Sequence, residues 1–100
     1  MTGPAHTPIE PRRTVEVTVE GRVQGVGFRA WAVRTARQLS LDGWVRNMPD
    51  GSVEALLSGT PAAVDEMLVL LEVGPPAARV DRVTVVAEGG TSPAGFEARV

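Results

Sequence analysis

The sequence contains no cysteine and no lysine, and only one histidine and one asparagine among its 100 residues. Without cysteine there is no disulfide scaffold, zinc ribbon, iron–sulfur cluster or thiol nucleophile, so the fold must come from packing alone. The lone histidine, His6, stands among Pro4, Pro8 and Pro11, in a stretch that offers no rigid seat for proton transfer. The carboxylates do not gather at metal-ligand spacing and have no histidine beside them, so neither a metal nor a cofactor is expected. No apolar run approaches the ~18–20 residues of a membrane span, and the opening residues lack the apolar stretch of a secretory signal. A net charge of −2 speaks against nucleic acid, since phosphate backbones call for a basic excess. The expectation is a cytoplasmic monomer with neither a membrane nor a nucleic-acid partner.

What is present is valine, glycine and a pattern. Residues Met1 to Arg13 read as a disordered leader, and residues 14–100 as one domain. From Thr14 to Glu20, Val15, Val17 and Val19 alternate with polar residues, as in a half-buried strand. Gly21 to Gly27 reads as a loop. Phe28, Trp31, Ala32, Thr35, Ala36 and Leu39 then recur at helical spacing, with Arg34, Arg37 and Gln38 on the other side. Leu41–Asn47 and Ser52–Ser58 read as two strands of a hairpin around Met48-Pro49-Asp50-Gly51. Thr60 and Pro61 supply an N-cap and a first-turn proline for a second helix, whose inner face is Val64, Met67, Leu68 and Leu71. Gly74-Pro75-Pro76 ends it. Val80–Glu88 reads as a fourth strand, with Val83 and Val85 pointing one way, and Phe96–Val100 as a short edge strand. The order β-α-β-β-α-β predicts an α+β, ferredoxin-like sandwich: an antiparallel sheet with two helices packed on one face and the other face wet. That architecture hosts many functions and names none.

The glycine-rich entry to the first helix is the leading candidate site. Gly25 and Gly27 allow backbone N–H groups to converge, and the helix start adds unpaired donors that attract phosphate or carboxylate. Arg29 falls in the first turn, where the helix dipole disfavours a cation unless an anion lies between. On spacing alone two readings stand, an anion site or a plain turn beside a solvated arginine. Asn47, closing the second strand, has an amide that can hold a water without taking its proton, although a tight turn also accounts for an asparagine there. Trp31 and Trp44 read as packing residues.

The residues carry more than spacing. Gly21-Arg22-Val23-Gln24-Gly25-Val26-Gly27-Phe28-Arg29 resembles the first signature of the acylphosphatase family. Gly43-Trp44-Val45-Arg46-Asn47, followed by Gly51, Val53 and Gly59, is similar to its second. The resemblance covers about Val15 to Glu88 and leaves the leader and the tail outside; Ala30 and Val100 stand where aromatic residues are common in the family. It implies that Arg29 binds a phosphoryl group together with loop amides from Gln24, Gly25, Val26, Gly27 and Phe28, and that Asn47 orients the attacking water. It implies hydrolysis of a small acyl phosphate to carboxylate and inorganic phosphate, the latter a product and inhibitor, without metal or phosphoenzyme. The alternative is an accessory domain of the same fold that handles carbamoyl phosphate within a larger protein. An RNA-recognition domain of this fold is disfavoured, because Val15–Val19 and Val53–Leu57 present no aromatic for base stacking.

Overall fold

Residues 11–100 are described by a computed structural model; most of the expected leader, residues 1–10, lies outside them. Val15, Val17 and Val19 are fully buried on one face of strand β1 (Arg13–Arg22). This strand lies inside the sheet, antiparallel to β3 (Val53–Gly59) on one side and to β4 (Arg79–Glu88) on the other. Strand β2 (Asp42–Asn47) pairs antiparallel with β3, and its inward Val45 joins Ala55 and Leu57 in the same core. Helix α1 (Phe28–Gln38) buries Phe28, Ala32 and Ala36, and α2 (Pro61–Leu71) buries Val64, Met67 and Leu71. All six belong to the cluster formed by the inward strand residues, so both helices cover one face. Each fully buried valine or leucine of this size contributes ~1.5–3 kcal/mol, which makes burial the main drive towards the sandwich. Thr60 caps α2 through its hydroxyl, which accepts the Ala63 N–H at 3.1 Å, and Pro61 follows at the first helical position.

Four features depart from the sequence reading. Strand β5 (Phe96–Arg99) pairs parallel with β2, so the sheet is mixed, in the order β4-β1-β3-β2-β5, and not wholly antiparallel. The link after β4 is tied by Gly89 N–H to the Thr14 carbonyl and by Gly95 N–H to Asp42 Oδ1. It therefore passes the end of the sheet and delivers the chain to the far edge, heading the same way as β2. Second, β1 runs on through Gly21 and Arg22, where a loop was expected. A bulge after Glu20 and a φ of 130° at Gly21 keep these residues paired with Val80 and Arg79. A Cβ there would stand 2.2 Å from the Arg79 carbonyl oxygen, so only glycine fits.

Third, Arg12 and Arg13 are engaged and not part of a leader. Arg13 pairs with Gly59, and its guanidinium bridges Asp65 of α2 and Glu88 of β4. Arg12 reaches Asp42 at 2.7 Å. Fourth, the helix-free face is not uniformly wet. Trp44 is 7% exposed there, with the guanidinium groups of Arg46 and Arg99 lying 4.8 and 5.0 Å from its ring centroid. Leu56, its cross-strand partner, is buried as well.

Candidate active site

One end of the sheet gathers the finish of β1, β2 and β5, the beginning of β3 and the start of α1. Between β1 and α1 the chain turns through Gly25 and Gly27, whose φ values are 73° and 78°. A Cβ at either would meet nothing within 4 Å, so glycine is required here by backbone conformation and not by space. Gly27 occupies the N-cap position of α1 and offers no side chain to the first-turn N–H groups; no acidic residue lies in that turn. Those donors stay available to an outside acceptor, and the helix dipole adds to their pull on an anion.

A pocket of about 220 Å³ opens at this point, lined by Val23, Gly25, Gly27, Phe28, Arg29, Ala30 and Asn47. The structure thus brings Arg29, Asn47 and the loop glycines to one cavity. Phe28 contributes only its backbone, because its ring is 2% exposed and packs edge-on against Trp31 with centroids 5.4 Å apart. Gln24 and Val26 do not line the pocket. Val26 leans on the core, and the Gln24 side chain turns away to donate to the carbonyls of Met48 and Ser52, at 2.8 Å each. As anion ligands these two residues can offer no more than their backbone N–H groups.

Arg29 is half-buried, and its Nη1 donates to the main-chain carbonyl of Arg99 at 2.9 Å. Arg99 was missed by sequence reasoning, since a carbonyl acceptor leaves no trace in residue identity. Its side chain reaches the opposite face and stacks on Trp44.

Asn47 is the last residue of β2, opposite Val53. The turn behind it is closed by Met48 N–H to the Ser52 carbonyl at 2.9 Å and Gly51 N–H to the Met48 carbonyl at 3.1 Å. Asp50 Oδ1 accepts from the Ser52 hydroxyl at 2.6 Å and the Ser52 N–H at 2.9 Å, and these bonds hold its carboxyl below the usual aspartate range.

A larger cleft of about 390 Å³ lies beside this turn, between β1 and β4. It has no helix start, and two of its charges, Arg79 and Asp81, pair with each other at 3.2 Å. The smaller pocket is the chemically equipped one. Among the described residues no group of three or more His, Cys, Asp or Glu side chains is placed to hold a metal ion.

A family model described as "Acylphosphatase" matches residues 15–98, and so reaches into β5, beyond Glu88 where the sequence resemblance was drawn to end. A curated protein named acylphosphatase from Rhodospirillum rubrum is 56% identical over 77 residues, which are 75% of this chain and 85% of that protein. One from Trichormus variabilis is 50% identical over 96 residues, 96% of this chain and 95% of its own length. The structure of an acylphosphatase from Coxiella burnetii superposes with a TM-score of 0.83 at 35% identity, covering 88% of this chain and 93% of that one.

Proposed function

The chain belongs to the acylphosphatase family and has acylphosphatase activity; from that premise we propose that a small acyl phosphate is cleaved in the pocket at the start of α1. The observation that carries this reading is the convergence of Arg29, an uncapped helix start and Asn47 on one cavity. The phosphoryl oxygens lie against the backbone N–H groups of residues 24–28 and against the Arg29 guanidinium. One Arg29 N–H is held by the Arg99 carbonyl, which leaves the rest of its planar fork for two phosphoryl oxygens. The Asn47 carboxamide holds a water on the side of phosphorus away from the leaving carboxylate.

Attack forms a new P–O bond while the anhydride P–O bond breaks, and the bonding electrons leave with the carboxylate. A dianionic acyl phosphate and water become carboxylate and dihydrogen phosphate, so both water protons end on phosphate. The leaving group is a weak base and needs no general acid. In a loose transition state charge grows on the phosphoryl oxygens and the departing carboxylate, and the loop amides with Arg29 answer the first. Positioning supplies the remainder.

The test is release of carboxylate from benzoyl phosphate, in excess chelator, by the parent and two variants. The parent is expected to turn over at the same rate with and without chelator. Arg29→Ala is expected to lose both turnover and inhibition by phosphate. Asn47→Ala is expected to lose turnover while phosphate inhibition stays nearly intact; equal loss of both would make Asn47 a binding residue. We also read the chain as a cytoplasmic monomer without a nucleic-acid partner. No described helix is long and apolar enough to cross a membrane. Cell fractionation and size-exclusion chromatography test compartment and oligomeric state.

A further inference from the structure

We infer that Gln24 is a positioning residue: its carboxamide locks the turn behind Asn47 to the loop that receives the phosphoryl group, and so sets where the water stands relative to phosphorus. This rests on the reading of Asn47 and the loop given above. Both Gln24 bonds end on main-chain carbonyl oxygens, Met48 and Ser52, at 2.8 Å each. Carbonyls only accept, so the NH₂ end of the amide must face them, and both of its hydrogens are used. Each carbonyl already takes one bond from within the turn, from Gly51 N–H and Met48 N–H respectively, and Gln24 fills the second lone pair of both.

The two anchor points are placed for leverage. Met48 follows Asn47 in the chain, and Ser52 precedes Val53, the cross-strand partner of Asn47. On the other side, Gln24 lies between Val23 and Gly25, which both line the pocket. Among the described residues no other hydrogen bond joins the 23–27 loop to the 48–52 turn. The phosphoryl cradle and the water holder come from segments far apart in sequence, and this one side chain fixes the gap between them. An ionised glutamate there only accepts, an aliphatic side chain has no donor, and an asparagine is a methylene too short.

Gln24→Met keeps the length and removes both donors, and Gln24→Glu keeps the shape while facing the carbonyls with an acceptor. For each, kcat on benzoyl phosphate, the inhibition constant of inorganic phosphate and the thermal midpoint are measured. The same Gln24 substitutions are repeated in the Asn47→Ala background. Folded variants are expected to lose roughly ten- to a hundredfold in kcat, as a displaced but intact water holder would cause. Their phosphate inhibition is expected to stay within about twofold, and the added loss in the Asn47→Ala background to be under about threefold, the non-additivity of residues acting through one another. Parental kcat in folded Gln24→Met would overturn the inference. So would a rise in the phosphate inhibition constant in step with the loss of kcat, which would put Gln24 on the anion. Full additivity with Asn47→Ala would overturn it too. If Asn47→Ala alone kept parental turnover, the failure would belong to the underlying reading of Asn47.

Discussion

Arg29 sits where a helix dipole repels a cation, and the main chain of β5 supplies a partner for it. The Arg99 carbonyl takes one guanidinium N–H at 2.9 Å, so a fixed partial negative charge offsets part of the penalty and aims the fork at the pocket. A lysine could keep the charge but not the planar grip or the tether together. Arg29→Lys is therefore expected to cost at least about tenfold in turnover and to weaken phosphate inhibition, measured by steady-state kinetics with added phosphate. Two exposed carboxylates carry a smaller, pH-dependent effect. Asp50 is held below its ordinary value of 3.8 by Ser52, and Glu88 below its ordinary 4.5 by Arg13. A carboxyl depressed in the folded state contributes stability above its ordinary value and loses it as pH falls through the folded one. Both contributions should be present at neutral pH and fade on acidification from the mid-4s downwards. Thermal midpoints across that range should fall less steeply for Asp50→Asn than for the parent.

At the scale of elements, legibility followed the presence of local chemistry. The Met48–Gly51 turn, the Thr60–Pro61 helix start and the valine alternation of β1 each announce themselves within a few residues, and each stands where it was expected. Strand β5 does not announce itself as a partner of β2, because it buries only Phe96 and its parallel pairing depends on a link passing the sheet's end. Glycine ordinarily argues against strand, yet Gly21 continues β1 because the bulge before it re-registers the pair. The site divides the same way. Arg29, Asn47 and the loop glycines were named as candidates from the two motifs, and the fold brings them to one pocket, although spacing alone left a plain structural reading beside Arg29 and Asn47. The Arg99 carbonyl and the destination of the Gln24 amide were not legible, since both depend on which segments meet. Gly43 shows how a motif residue acquires a physical reason. Its φ is 135°, and a Cβ would lie 1.8 Å from the Leu56 carbonyl oxygen across the β2–β3 ladder. Gly43→Ala is expected to cost at least about 1–3 kcal/mol of stability, read from urea unfolding, with turnover falling as the hairpin that carries Asn47 shifts.

For the molecule as a whole, the candidate site lies at one end of the sheet. Strand β1 enters at the other end, where Arg13 ties it to α2 and β4. Removing residues 1–10 should accordingly leave turnover within about twofold of the parent. Removing Arg12 and Arg13 as well should lower the thermal midpoint, because the bridges to Asp42, Asp65 and Glu88 go with them. The placing of β1 inside the sheet also governs how the chain reaches its native state. Val15 pairs with Leu57 on one side and with Glu88 on the other, so neither partner lies nearby in sequence. Among the described strands only β2 and β3 are joined by a tight turn. The remaining ladders close large loops before any contact repays the entropy, and refolding belongs on the millisecond-to-second scale and not the microsecond one. On a ribosome, β1 emerges with one future edge unpaired until β3 has followed it and the other until β4 has. The time spent waiting for them is a hazard of the same topology that, once complete, brings Arg29 and Asn47 together.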